Sequence, residues 1–422
     1  MRIAVRGGRV IDPESRLDEV RDIYIADGKI IGIEPPREVA ESDFLGIPAQ
    51  GLVVIPGLID IHTHLREPGL EYKETIASGT RAAAKGGFTS IACMANTDPV
   101  DDNRSVTEYI LNRARAEGVV NVYPIGAISK GLEGKELAEF GELREAGAVA
   151  VSDDGYPVMN AQLMRRALEY AKAFDLVVID HCEDLNLSAG GAMSEGPIST
   201  ELGLPGIPRA AEEVMVARDL ILAGLTKGRL HIAHVSTAGS VRLIREAKRM
   251  GINVTCETAP HYFTLTDEAV RGYNTNCKIN PPLRRPEDVE AIKEGLRDGT
   301  IDVIASDHAP HEADAKDVEF VHAANGIIGL ETALPLTLSL VHEGALTLME
   351  AIAKLTINPA RALSLPKGAL KVGADADITI IDLEKEWVVD AHHLHSLSKN
   401  TPFIGWKMKG MAIMTIVSGE VK

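Results

Sequence analysis

Two rhythms of hydrophobic residues divide the chain. Before residue 54 the apolar side chains fall in short runs, at 3–5, 10–12, 22–26 and 29–33, broken by Gly7-Gly8 and by Asp27-Gly28. Asp-Gly between two strand-like runs predicts a hairpin. From Gly57 onward, apolar runs at 58–61, 88–94, 119–125, 148–151, 176–179, 230–233, 252–256 and 301–305 alternate with helix-like segments such as 160–174, 210–225 and 241–250. Apolar residues in those segments recur near every ~3.6 positions. Eight strands alternating with helices predict an α/β fold, a parallel (β/α)8 barrel of the TIM type. After about residue 363 short strands return, at 376–382 and 412–417. Both ends are strand-rich, so residues 1–54 and 366–422 are expected to pack together as one small β-sandwich domain beside a barrel spanning 55–365.

In such barrels chemistry sits where strands end and loops begin. The first run ends in His62-Thr63-His64, followed by Arg66 and a Pro68-Gly69 turn. Side chains at i and i+2 of a strand share a face, so His62 and His64 can reach one point, as suits Zn²⁺ or a similar ion. Four further runs end in Ser152-Asp153-Asp154-Gly155, Asp180-His181-Cys182-Glu183, His234-Val235-Ser236-Thr237 and Ser306-Asp307-His308-Ala309-Pro310-His311. Taken singly, each reads as a capping aspartate or a histidine bonded to a carbonyl. Five at the same end of one barrel point to metal. Four histidines and two aspartates suit a two-metal site, in which one aspartate bridges and a hydroxide between the ions is the nucleophile, since a metal lowers the pKa of bound water to roughly 7. A nearby carboxylate can shuttle the proton.

The net charge of −17 argues against a nucleic-acid or anionic-membrane surface. Cys93, Cys182, Cys256 and Cys277 form no disulfide framework, which fits a reducing cytoplasm. No apolar stretch is long enough to span a bilayer, and the N-terminus is too poor in apolar residues for a signal peptide.

The motifs 60–69, Met94-Ala95-Asn96-Thr97, Ser152-Asp153-Asp154-Gly155, His181-Cys182-Glu183-Asp184, His234-Val235-Ser236-Thr237, Asn280-Pro281-Pro282-Leu283-Arg284 and 306–311 resemble those of the dihydroorotases of the amidohydrolase superfamily, the longer-chain bacterial type. The likeness runs over nearly the whole chain. It implies a zinc-dependent barrel flanked by a β-domain from both termini. It also implies interconversion of N-carbamoyl-L-aspartate and (S)-dihydroorotate in pyrimidine synthesis. By that resemblance His62 and His64 hold one zinc, and His181 and His234 the other. Asp154 bridges where many relatives use a carboxylated lysine. Asp307 ligates the first zinc and acts as general base and acid. Arg66, Asn96 and Asn280 bind the substrate, His311 lies close to it, and the backbone around Asn325-Gly326 lines the far side. The same resemblance carries one or two zinc ions per chain, a homodimer and association with aspartate carbamoyltransferase as expectations. Ala95 replaces the family's proline, and Tyr262 follows His261 where a second histidine is common.

Arg66 offers a planar fork that suits a carboxylate. Asn96 and Asn280 read equally as turn residues, Asn280 especially, before Pro281-Pro282. Cys182 is expected to be buried, with zinc ligation the alternative. His231 faces away from His234 and is expected to be structural, and His392, His393 and His395 form a solvated loop. Two other functions compete: another cyclic amidohydrolase such as a hydantoinase or allantoinase, and a catalytically silent scaffold for aspartate carbamoyltransferase. The filled ligand set speaks against the scaffold, and Asp154 with Arg66 against the first.

Overall fold

The computed structural model describes residues 2–36 and 44–422. Eight parallel strands, Leu58–Thr63, Phe88–Cys93, Asn121–Gly126, Ala150–Ser152, Val177–Asp180, Leu230–Ile232, Val254–Thr258 and Val303–Ile304, pair in chain order. The ring is completed by a bridge between Thr63 and His308, where His64 N donates to His308 O at 2.9 Å. Ile59, Ile61, Ala92, Ile125, Ile179 and Val303 fill the barrel, and Ala360 and Ala362 of helix Ile357–Ala362 pack against that cluster. A second, larger core lies between the strands and the surrounding helices.

Several strands start about two residues later than the apolar runs suggest. Buried or half-buried connections lead from helix to strand at Ala148, Val149, Ile252 and Ile301, so hydrophobicity alone overstates the strand. The helices carry the expected signals. Asn160 caps Ala161–Ala171 by accepting from Gln162 N, and Thr237 caps Ala238–Arg249 by accepting from Ser240 N.

Both termini enter one eight-stranded sheet. Strands Ile378–Val388 and Lys407–Val417 join Val53–Pro56, which pairs with Arg2–Asp12, then Leu17–Ala26 and Lys29–Glu34. Ile3, Ile23, Ile25, Val54, Ile378 and Ile416 share its core. Asp27 (φ 50°) and Gly28 (φ 76°) make the expected tight hairpin, with positive φ at both turn positions. Gly7-Gly8 does not break the first strand. It forms a bulge, a register shift between Val5 and Gly8, within a single strand of 11 residues. Among the described residues no helix is long and apolar enough to cross a membrane.

Candidate active site

The first strand brings in the two leading histidines by an irregularity. Ile59 and Ile61 point into the barrel. A register shift between Asp60 and Thr63 against the second strand inserts one residue. The inward set therefore changes from odd to even positions, and His62 and His64 face inward after it. Asp60 braces this kink, accepting from His62 N at 3.0 Å and from Ser306 N at 3.1 Å. Three other site residues also leave strand geometry. Arg66 (φ 64°), His234 (φ 31°) and Asp307 (φ 48°) lie in the left-handed region, which is costly for residues with a Cβ and concentrates at functional sites. Strand alternation therefore aims none of these three. Arg66, three residues beyond its strand's end, is turned inward by its loop.

Eleven of the twelve residues expected from sequence line one cavity of ≈ 200 Å³: His64, Arg66, Asn96, Asp154, His181, His234, Asn280, Asp307, His311, Asn325 and Gly326. His62 lies fully buried beneath its floor. The volume is below the ~300–1,000 Å³ of drug-sized clefts, so the cavity suits a small molecule. Larger hollows, of ≈ 380 Å³ beside Trp387 and ≈ 520 Å³ beside Tyr72, hold no convergent cluster of possible metal ligands among the described residues.

Asp154 stands at the centre. Its Oδ2 lies 3.4 Å from both His62 Nε2 and His64 Nε2, and its Oδ1 lies 3.3 Å from His234 Nε2 and 3.7 Å from His181 Nδ1. Asp307 Oδ1 lies 3.5 Å from His62 Nε2 and 3.4 Å from His64 Nε2. These separations exceed good hydrogen bonds. They match the edge of a tetrahedron, which is ~1.6 bond lengths, or ~3.3–3.4 Å for metal–nitrogen and metal–oxygen bonds of ~2.0–2.1 Å. His62 Nε2 and Asp154 Oδ1 are buried without a hydrogen-bond partner among the described residues. The groups His62, His64, Asp307 and His62, Asp154, His234 each converge closely enough to hold a cation. His181 Nδ1 is 2.8 Å from His234 Nε2, so the far side is drawn together by a hydrogen bond, and a cation there would separate the two rings.

Electrostatics agree. Burial opposes ionisation of Asp154, yet the surrounding imidazoles, His62 foremost, hold it well below the usual carboxylate range. Burial likewise opposes Asp307, but His62 and His64 hold it at about 2. Burial works against a proton on His62 too, and Asp154, Glu257 and Asp307 outweigh it and raise its pKa. The same negative field suits a divalent cation in place of that proton.

Three of the four histidines are oriented from behind. His62 Nδ1 donates to Glu257 Oε1 at 2.5 Å, and His231 Nε2 approaches Glu257 Oε2 at 3.2 Å. His64 Nδ1 donates to Asn96 Oδ1 at 2.9 Å. His181 Nε2 donates to Glu183 Oε2 at 3.0 Å, and Asn280 Nδ2 donates to the same oxygen at 2.8 Å. Such partners fix which ring nitrogen faces a metal. Asn96 and Asn280 thus orient histidines as well as line the cavity. Glu257 and Glu183 were missed from sequence. Glu257 was within reach, since it lies at the C-terminal end of the seventh barrel strand, one residue before Thr258, where the other strands present their candidate ligands. His231 packs as a structural residue, and what it supports is Glu257. Cys182 turns away from the cavity, with Sγ 3.3 Å from Asp180 Oδ2 and 3.6 Å from Asp219 Oδ2. His392, His393 and His395 are exposed.

Arg66 is 8% exposed. Its Nε donates to Pro310 O at 3.2 Å and its Nη2 lies 3.4 Å from His311 Nε2, and among the described residues no carboxylate takes its fork. Burial lowers its pKa to about 10, which leaves it charged. Burial, with Arg66 beside it, pushes His311 down to about 2, so its ring is neutral; Nε2 donates to Asn325 O at 2.9 Å. Gly326 (φ 150°) has no room for a Cβ, which would fall 2.6 Å from Ala309 O.

The chain matches two family models, "Dihydro-orotase-like" over residues 51–240 and "Amidohydrolase family" over residues 207–421. It is 61% identical to a dihydroorotase of Syntrophus aciditrophicus over 100% of this chain and 99% of the relative. It is 59% identical to a dihydroorotase of Geobacter sp. strain M21 with the same coverage. An L-hydantoinase from Arthrobacter aurescens superposes with a TM-score of 0.89 at 28% identity, over 99% of this chain and 95% of the other. With a barrel whose strand ends bring together five side chains that could hold a metal ion, His62, His64, Asp154, His234 and Asp307, and with relatives of this identity along its full length, the chain belongs to the dihydroorotase family of amidohydrolases.

Proposed function

We propose that the protein is a dihydroorotase that interconverts N-carbamoyl-L-aspartate and (S)-dihydroorotate, the third step of pyrimidine nucleotide synthesis. The observation that carries the choice of substrate is Arg66: a buried guanidinium with no carboxylate partner among the described residues, on the wall of a small cavity over a carboxylate–imidazole cluster. A charged fork buried without an anion is costly unless a ligand supplies one. Dihydroorotate carries a carboxylate beside its ring; unsubstituted hydantoin has none.

His62, His64 and Asp307 would hold one zinc, His181 and His234 a second, with Asp154 between them. Bound there, zinc acts as a Lewis acid and lowers the pKa of water to roughly 7. Arg66 binds the substrate carboxylate. Asn96 and Asn280 lie on the cavity wall, where their free amide hydrogens meet ring carbonyls. Buried His311 Nδ1 has no protein partner and accepts from a ring N–H. Ring opening breaks the ring amide C–N bond, adds water and delivers a proton to the departing nitrogen. Asp307 is ionised, so it takes the proton from water and hands it to that nitrogen. Closure runs the steps in reverse and consumes one proton, because a carboxylate becomes an amide. Cytoplasmic location, a homodimer and contact with aspartate carbamoyltransferase belong to the same reading and rest on family resemblance.

The test is a metal analysis and a ring-opening assay on one preparation, with Asp307→Asn beside the wild type. The expected result is one or two zinc per chain, faster opening of dihydroorotate than of hydantoin or allantoin, and near-complete loss of turnover in Asp307→Asn with at least one zinc retained. Full activity without metal, or preference for unsubstituted hydantoin, refutes the proposal.

A further inference from the structure

Lys316 is 6% exposed, and among the described residues no carboxylate pairs with it. Its Nζ donates to three backbone oxygens: Ala324 O at 2.7 Å, Thr275 O at 3.1 Å and Lys278 O at 3.2 Å. An ammonium has three hydrogens, so all its donors are used. Burial, then the neighbouring Lys278, lowers its pKa to about 7. Burying a cation with no counter-ion is expensive, so the position calls for a reason.

The reason lies in what the three carbonyls belong to. Thr275 and Lys278 precede Asn280 on one loop; Ala324 precedes Asn325 and Gly326 on another, which begins at His311. Both loops line the substrate cavity. Around the ammonium they are stitched further: Gly326 N donates to Lys278 O at 3.0 Å, Lys278 Nζ to Val321 O at 2.6 Å, and Thr275 Oγ1 to Lys316 O at 2.6 Å. None of these contacts involves a candidate metal ligand. Lys316 thus fixes the position of His311, Asn325 and Gly326 relative to Asn280, from outside the cavity.

We propose that Lys316 is a positioning residue for the substrate: its ammonium holds the two substrate-facing loops in register, and its loss weakens substrate capture while sparing the metal centre. The inference rests on the dihydroorotase reading, and its first control separates the two. If the wild type fails to open dihydroorotate, that reading fails. The loop coupling is then still read by hydrogen exchange alone.

The experiment compares wild type with Lys316→Met, which keeps the apolar stem and removes all three donors. The expected result is a KM for dihydroorotate raised about tenfold, as for a lost set of charged hydrogen bonds, with kcat within about threefold and zinc content unchanged. Faster amide exchange should be confined to residues 275–280 and 311–326. In a double-mutant cycle with Asn280→Ala the effects should be non-additive, since both act through one loop. If Lys316→Met does not fold, Thr275→Val removes one stitch of the same clamp and should give the same pattern in smaller measure. Unchanged KM with reduced kcat, lost zinc, additive effects, or exchange that rises throughout the barrel would overturn the proposal.

Discussion

Replacing Glu257 by Gln tests how far the metal centre depends on a residue that does not touch it. Glu257 is 1% exposed, and its oxygens engage His62 Nδ1 at 2.5 Å and His231 Nε2 at 3.2 Å. Burial opposes its charge, yet His62 and His231 hold its carboxyl at about 2. Glutamine keeps the shape and an oxygen that accepts from His62 Nδ1. His231 can change tautomer to receive the new N–H₂, because Thr255 Oγ1, 2.7 Å from its Nδ1, can act as donor or acceptor. What disappears is the charge. A hydrogen bond to a charged group is worth ~1.5–3 kcal/mol and a neutral one ~0.5–1.5. The difference of about 1–1.5 kcal/mol is roughly tenfold in affinity, the low end of the ~10–100-fold known for partners of metal-binding histidines. Glu257→Ala also orphans His62 Nδ1 and opens a cavity, so it should cost about a hundredfold and ~3 kcal/mol of stability. Competition with a chromogenic chelator gives zinc affinity, and calorimetry of metal-free and metal-loaded protein gives the two melting temperatures. In Glu257→Gln the gap between them should shrink while the metal-free value barely moves. Wild-type zinc affinity in both variants would show that Glu257 fills space and does not orient His62.

Arg66→Lys should raise KM for dihydroorotate at least tenfold at unchanged zinc content, because an ammonium cannot form the bidentate pair; an unchanged KM would remove Arg66 from substrate recognition. Asp101 is fully buried, Thr107 Oγ1 donates to its Oδ1 at 2.6 Å, and its Oδ2 has no hydrogen-bond partner among the described residues. Burial raises its pKa to about 7, against 3.8 ordinarily. The folded state therefore keeps a proton that the unfolded chain releases, and stability falls as pH rises from about 4 to 7, by up to ~4 kcal/mol from this group. Asp101→Asn should accordingly melt higher than wild type at pH 8 and lose that advantage toward pH 4 in thermal unfolding; an equal difference at both pH values would refute the assignment.

Periodicity alone carried the class of fold, because eight apolar runs between amphipathic helices can bury themselves in few other ways. Residue type at the run ends picked out the candidate ligands, since every barrel strand points its C-terminal end at one place. The family motifs added the substrate-facing residues, and eleven of the twelve residues so named line one cavity. Tertiary structure decided what alternation does not encode. His62 and His64 face inward only because a residue is inserted between Asp60 and Thr63. Arg66, His234 and Asp307 are aimed by left-handed backbone that a reading by strand period treats as extended. Glu257 acts on His62, distant in sequence, and Glu183 joins its neighbour His181 to the distant Asn280; a lone buried charge such as Lys316 has no local signature, because its partners are chosen by which loops the barrel brings together. Asp154 shows both halves of this. Its chemistry was legible from its place after a strand, but that one oxygen faces His62 and His64 while the other faces His181 and His234 follows from the closing of the barrel, which sets those strands around it.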